Sequence, residues 1–281
     1  MAIDAKRTRI TFQRLDRELR KLAKKTAPDN VHKFRTNSRR VEALLSEVVL
    51  ERHRSDEKLL TLLGRLRKKA GRVRDLDVQI ESLRVLKFPQ ANGHKAQVMD
   101  ALVDERAKRE KKLARAFDRD TTEEIRKRLK RAANKMEIAR DTDALQLTLR
   151  KLGELGNNNA PLTEKTLHQY RIIGKRARYI AELADGNVAA KRVVEQLKRM
   201  QDVIGDWHDW LKLTEKAEGL LGGVRDSALV AMLRNVTQAK FRQSWEAVAE
   251  IRSVLDVHGR PAQSVQNRKT PAKEAAQAAV A

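Results

Sequence analysis

Apolar residues recur three and four positions apart along almost the whole chain, a spacing that fits helices and little else. No stretch alternates apolar and polar residues as a half-buried strand requires. Only 12 glycines and 5 prolines interrupt 281 residues. Leu, Ala, Lys and Arg, all strong helix formers, are plentiful. The expected fold class is all-α.

The interruptions divide the chain. Asp29, just after Pro28, is the expected N-cap of a helix reaching about residue 52. A second helical stretch covers about 56–86, with Gly71 as the point where it could bend, and stops near Pro89 and Gly93. Residues 96–116 and 123–140 read as charged helices, and 142–152 as a shorter one. Gly156, three consecutive Asn at 157–159 and Pro161 form the clearest internal boundary. It places a linker at about 153–161, between a first half at about 6–152 and a second at about 162–258. Thr163 can cap the next helix, which reaches about residue 184, and helices at about 191–221 and 226–257 follow. From 259 to 281 the chain turns to Gly, Pro, Gln, Lys and Ala, and a mobile basic tail is expected there.

Lys and Arg number 61 against 38 Asp and Glu, a net charge of +23. Such an excess implies an acidic partner: nucleic acid, an anionic surface or another polyphosphate. The absence of cysteine removes disulfides, thiolate zinc sites and Cys nucleophiles, and fits a reducing compartment. Residues 1–20 lack an apolar core of signal-peptide length, and no apolar run approaches the roughly 18 residues that would span a bilayer. The expectation is a soluble, unexported protein without a membrane partner.

The two halves repeat one another. His32-x-x-Arg35-x-x-x-Arg39-Arg40 matches His168-x-x-Arg171-x-x-x-Lys175-Arg176. Gly71-x-x-x-Asp75 matches Gly205-x-x-x-Asp209, at His-to-Asp separations of 43 and 41 residues. Leu63, Arg65 and Leu66 correspond to Leu197, Arg199 and Met200. This order suggests two related helical bundles packed about a pseudo-twofold axis, with the motif helices brought together.

On a helix turning about 100° per residue, Val31, Phe34, Val41, Leu45 and Val48 form a core-facing stripe. His32, Arg35 and Arg39 gather on another side, flanked by Arg40. In the second motif His168, Arg171, Lys175 and Arg178 share a face, Arg176 stands to one side, and Tyr170, Ala177 and Ala181 point to the core. No acid occurs between Asp29 and Glu42 or between Glu164 and Glu182. Surface helices usually offset like charges with partners one turn away. Here the relief must come from acids on other helices or from a bound polyanion, and two matched copies favour the polyanion.

Phosphate suits these side chains. Arg presents a fixed fork of donors and Lys a mobile charge. Aromatic residues are 4% of the chain and show no stacking motif, which favours phosphates without bases. Non-specific binding to DNA or RNA backbones needs only charge and stays open as the alternative. Each histidine can either take up a proton when an anion binds or serve as a neutral hydrogen-bonding group. Surrounding cations oppose a divalent ion, so neither a metal site nor a cofactor is expected. Asp75, Asp77, Asp206 and Asp209 allow a third reading, metal-dependent phosphoanhydride hydrolysis, but acids beside a basic groove more often anchor Arg side chains. Trp207 and Trp210 read as packing residues.

VHKFRTNSRRVEALL, RVRDLDV, LHQYRIIGKRARYIAEL and LKRMQDVIGDWHDW, in this order, resemble the CHAD family, named for conserved histidines in an alpha-helical domain. The resemblance spans about residues 6–258. It implies two helical bundles related by a pseudo-twofold axis with a basic groove or pore between them. It also implies binding of inorganic polyphosphate without catalysis, and a place in the cytoplasm at polyphosphate granules. Carried onto matching positions, the implied ligands are His32, Arg35, Arg39 and Arg40, then His168, Arg171, Lys175, Arg176 and Arg178. Arg65, Arg74, Lys198 and Arg199 are further candidates from accompanying helices. No Glu-x-Glu-x-Lys pattern near the start marks the triphosphatase domain that some relatives carry.

Overall fold

The computed structural model of the protein describes residues 3–88, 93–139, 142–155, 161–184, 188–222 and 227–259. Most of the expected linker, at 156–160, and the expected tail beyond 259 lie outside the described residues. Among those described are nine helices and no strand: α1 (Ala5–Lys24), α2 (Pro28–Glu47), α3 (Arg54–Val85), α4 (His94–Ala114), α5 (Arg119–Lys135), α6 (Ala144–Gly153), α7 (Glu164–Ala181), α8 (Val188–Leu221) and α9 (Ala228–Gly259). The fold is all-α.

Local chemistry sets several ends. Pro28 occupies the first turn of α2, where its missing N–H costs nothing. The N-cap is therefore Ala27, not Asp29; Asp29 sits in the first turn and pairs with Lys33 at 2.6 Å. The helix ends at Glu47, short of residue 52, and the Leu50 N–H turns away to the carbonyl of Glu137. Thr163 does cap α7, accepting from the Thr166 N–H. Gly93 opens α4 at φ 66°, a left-handed conformation that a side chain disfavours. The mixed charged and apolar residues of 1–20 do not by pattern alone mark α1 as a separate helix. Its capping Asp4 accepts from the Lys6 N–H, and Ile3 bridges to Ala184, just beyond the end of α7.

Among the described residues three large apolar clusters hold the helices, and a small fourth gathers Ala144, Ala184 and Ala190. The first joins α1, α2, the first half of α3 and α5; Phe34 and Phe117 meet edge-to-face in it at 5.2 Å. The Val31, Phe34, Val41, Leu45 and Val48 stripe is buried there. A separate cluster joins α7, the first half of α8 and the later part of α9, and contains Tyr170, Ala177 and Trp207. Between them, the C-terminal part of α3 and α4 share a third cluster with the C-terminal part of α8 and the start of α9, including Trp210. The two long helices α3 and α8 thus each reach from one outer cluster into the shared one.

α2 packs directly against α7, and acids bind this seam. Arg40 and Arg178 both pair with Glu182, at 2.8 and 3.3 Å. Glu47 at the end of α2 pairs with Lys151 of α6 at 2.8 Å. These contacts bring the two basic motifs face to face.

Candidate functional site

α2, α3, α7 and α8 enclose a cavity of about 370 Å³. Of the thirteen residues singled out from sequence, seven line it: His32, Arg35, Arg39, Arg74, Arg171, Lys175 and Arg178. The other six do not. Arg40 turns to Glu182, Arg176 lies exposed 3.8 Å from Glu47, and Arg199 reaches Glu250 at 3.3 Å. Arg65 and Lys198 are exposed. His168 stays outside the lining, its ring 6.2 Å from that of His208. Of the two matched histidines, only His32 lines this cavity.

The rest of the lining comes from residues that lie within the quoted motifs but were not among the expected ligands. Thr36, Val78 and Tyr179 contribute, as do Gln201, Gly205 and three carboxylates of α8: Asp202, Asp206 and Asp209. The acids recur at i, i+4 and i+7, so one helix face carries them all. Their spacing was readable, but which face they occupied depended on packing. Asp206 is paired with Lys240 at 2.8 Å, and Asp75 of α3 with Arg35 at 3.4 Å.

Local acids do not match the cations one for one. Arg39, Arg74, Arg171 and Lys175 make no ion pair among the described residues. The Nε atoms of Arg171 and Arg178 and both amide atoms of Gln201 are buried without a hydrogen-bond partner. Gln201 is only 5% exposed. Buried polar groups are nearly always satisfied in a folded protein, so these atoms set a polar, unsaturated wall beside the cations.

Titration follows from the same crowding. Burial, then Arg171, Arg39 and Arg35, pushes the Lys175 amine down to about 7. Burial pushes the Asp209 carboxyl up to about 6 in spite of Arg171. His208 falls to about 4 through burial and then Arg171. His32 also lies below its usual value, through burial and then Arg74 and Arg35. Burial is likewise the leading cause of the lowered values of Arg35, Arg39 and Arg171. Every one of these shifts except that of Asp209 records positive groups held close together out of water.

Close packing of backbone shapes one wall. A Cβ on Gly71 would stand 2.9 Å from Nη1 of Arg35, so the absent side chain lets the guanidinium lie on α3. At Gly205 a Cβ would meet nothing within 4 Å. Tyr179 is the only Phe, Trp or Tyr on the cavity wall among the described residues, and Arg40 and Arg178 approach it at 5.6 and 4.9 Å. Among the described residues, no three His, Cys, Asp or Glu side chains are placed to hold a metal ion, and no helix is long and apolar enough to cross a membrane.

The structure is similar to that of the CHAD domain from the plant Ricinus communis, at a TM-score of 0.66 and 18% identity, covering 90% of this chain and 89% of that one. It is also similar to PptA from Streptomyces chartreusis, at a TM-score of 0.64 and 16% identity, covering 89% and 96%. At these identities the likeness is one of fold. No curated protein matches the sequence. The family description "CHAD domain" matches residues 8–218, from within α1 to near the end of α8 and across both basic motifs. The chain belongs to the CHAD domain family.

Proposed function

We propose that this protein binds inorganic polyphosphate, without catalysis, in the cavity between α2, α3, α7 and α8. The observation that carries this reading is the set of four cations, Arg39, Arg74, Arg171 and Lys175, that share one cavity with no ion-pair partner among the described residues. Charges so confined repel one another, at a cost that a chain of phosphates would relieve. Each phosphate also brings oxygens to accept from the guanidinium groups of Arg171 and Arg178 on the cavity wall. Release of counterions from the polyanion adds a salt-sensitive drive. Family membership supports the same ligand, through the polyphosphate binding that the sequence resemblance implies. A place at polyphosphate granules in the cytoplasm belongs to this proposal.

Nucleic-acid backbones offer the same charge. Bases, however, want aromatic faces, and Tyr179 already has two guanidinium groups against it. The carboxylates suit an anchoring role better than hydrolysis, since Asp75 is engaged by Arg35 and Arg171 is the leading charge acting on Asp209.

The test is a competition titration at near-physiological salt. Labelled long-chain polyphosphate bound to the purified protein is challenged with duplex DNA, structured RNA and short phosphates. Polyphosphate that only polyphosphate displaces, with binding lost in an Arg35→Gln, Arg171→Gln double variant, is the expected result. Equal displacement per phosphate by DNA or RNA would make the protein a general polyanion binder. Metal-dependent release of phosphate from polyphosphate would make it an enzyme.

A further inference from the structure

Tyr179 lies in the walls of two cavities. One is the cavity between α2, α3, α7 and α8. The other, of about 480 Å³, opens between α1, α2 and the end of α7. Its charged lining is Arg7 and Arg14 from α1, Arg40 from α2 and Glu182 just beyond α7, three cations to one acid. Glu182 is already engaged, accepting from Arg40 with one carboxylate oxygen and from Arg178 with the other. Arg40 belongs to the wall of the α1 cavity and Arg178 to that of the central one, and both guanidinium groups lie against the Tyr179 ring. The boundary between the cavities is therefore itself cationic. Arg7 donates through Nη1 to the carbonyls of Glu182 and Ala184, at 3.3 and 2.7 Å, which offsets the negative end of α7 beside this cavity. Arg14 is exposed and has no ion-pair partner among the described residues.

We propose that the α1 cavity is a second phosphate-chain subsite, reached across Tyr179, so that one long polyphosphate chain occupies both cavities at once. A chain leaving the central cavity passes Arg178 and Arg40 and continues to Arg14. Ile10 and Leu183 complete the wall but offer a phosphate nothing, so the arginines hold it. The same side of α1 carries the path onward. Arg7, Ile10 and Arg14 are followed at helical spacing by Arg17, Lys21 and Lys24, all three exposed. Glu18 beside them is 2% exposed and accepts from both Arg17 and Lys21, so it presents little repulsion at the surface. Arg40, an expected ligand that the central cavity leaves out, has its place in this second one.

The proposal rests on the polyphosphate reading of the central cavity and adds selection by chain length. A chain that fills one subsite meets the next at high effective concentration, so chains spanning both bind more tightly than chains that fill only one.

The experiment compares the affinities of the full chain for tripolyphosphate and for long-chain polyphosphate at near-physiological salt. Arg14→Glu is expected to weaken long-chain binding about tenfold and to leave tripolyphosphate binding within about twofold. Lys127→Glu makes the same change in net charge at an exposed position on α5, a helix that meets α1 on the Asp16 side through Arg126. It should weaken long-chain binding by less than about threefold. Arg171→Gln should weaken both ligands. Equal losses of long-chain affinity in Arg14→Glu and Lys127→Glu would overturn the second subsite, as would an equal loss of both ligands in Arg14→Glu, and either result with Arg171 still required would leave the central cavity in place. Unchanged binding of both ligands in Arg171→Gln would instead remove polyphosphate from the central cavity, and the continuous path with it.

Discussion

The guanidinium of Arg35 rests against the bare Cα of Gly71, with Nη1 only 2.9 Å from where a Cβ would stand and 3.4 Å from Oδ1 of Asp75. One missing side chain on α3 thus sets the position of a charge on α2. Gly71→Ala would gain up to about 1 kcal/mol of helix propensity while pushing the guanidinium aside. The expected outcome is an equal or higher melting temperature with polyphosphate affinity reduced about tenfold. Gly205→Ala, which meets nothing within 4 Å, should leave the arginine in place. Thermal denaturation and a binding titration on both variants decide the point; unchanged affinity in Gly71→Ala would mean that Arg35 does not contribute from this position.

Loss of a charge inside the cavity should matter more than loss of one outside it. Arg171 lines the cavity with a buried, unpartnered Nε, whereas Lys127 is exposed on α5. Hydrogen bonds to charged groups contribute roughly 1.5–3 kcal/mol each, so Arg171→Gln should weaken polyphosphate binding by one to two orders of magnitude. Lys127→Gln should change it by less than about threefold, a rim-charge effect screened by salt. Similar losses in both variants would show that net charge alone governs binding.

Binding should take up a proton on Lys175. Its folded-state value of about 7 lies below the ordinary lysine value of 10.5, because burial and neighbouring arginines oppose the ammonium form. A bound polyanion favours that form. Between pH 7 and 10.5 the free protein holds Lys175 mostly neutral, so affinity should fall as pH rises through this window. Calorimetry at pH 8 in buffers of different ionisation enthalpy should give unequal binding enthalpies, and Lys175→Met should equalise them. Identical enthalpies for the unaltered protein would remove Lys175 as the proton acceptor.

The same shift predicts a change in stability. The unfolded chain protonates Lys175 below about 10.5, while the folded chain resists until about 7. The penalty is therefore complete below pH 7 and fades as pH climbs to 10.5. Lys175→Met should raise the melting temperature at pH 6–7 and confer little advantage near pH 10.5. Melting curves across that range check it; a destabilised Lys175→Met at pH 6.5 would contradict the electrostatic account.

Phe34 gives the contrasting case on the opposite face of α2. It is fully buried and packs edge-to-face on Phe117 at 82°. Truncation to Ala should cost about 3–5 kcal/mol, read as a lower urea midpoint. Phe34→Leu should recover much of it, whereas neither change alters the charges of the cavity.

The sequence by itself determined the helices and the division of α2 and α7 into apolar and basic faces. Both are local consequences of a 3.6-residue period, so Phe34 and Tyr170 had to go inward if Arg35 and Arg171 were to meet water or a ligand. Most helix ends were legible to within a few residues for the same reason, through Pro28, Thr163 and Gly93. Tertiary structure alone decided which cations share a cavity. Arg39 and Arg40 are neighbours in sequence, yet Arg39 lines the cavity and Arg40 is drawn to Glu182, which lies 142 residues away. His32 and His168 match in sequence, but only His32 lines the wall. Gln201 lies within the LKRMQDVIGDWHDW motif but was not singled out, and its unmet hydrogen bonds arise only when α8 packs against α7. The physical reason is range: helical period and capping act over four residues, whereas charge pairing and desolvation depend on whatever the fold brings near.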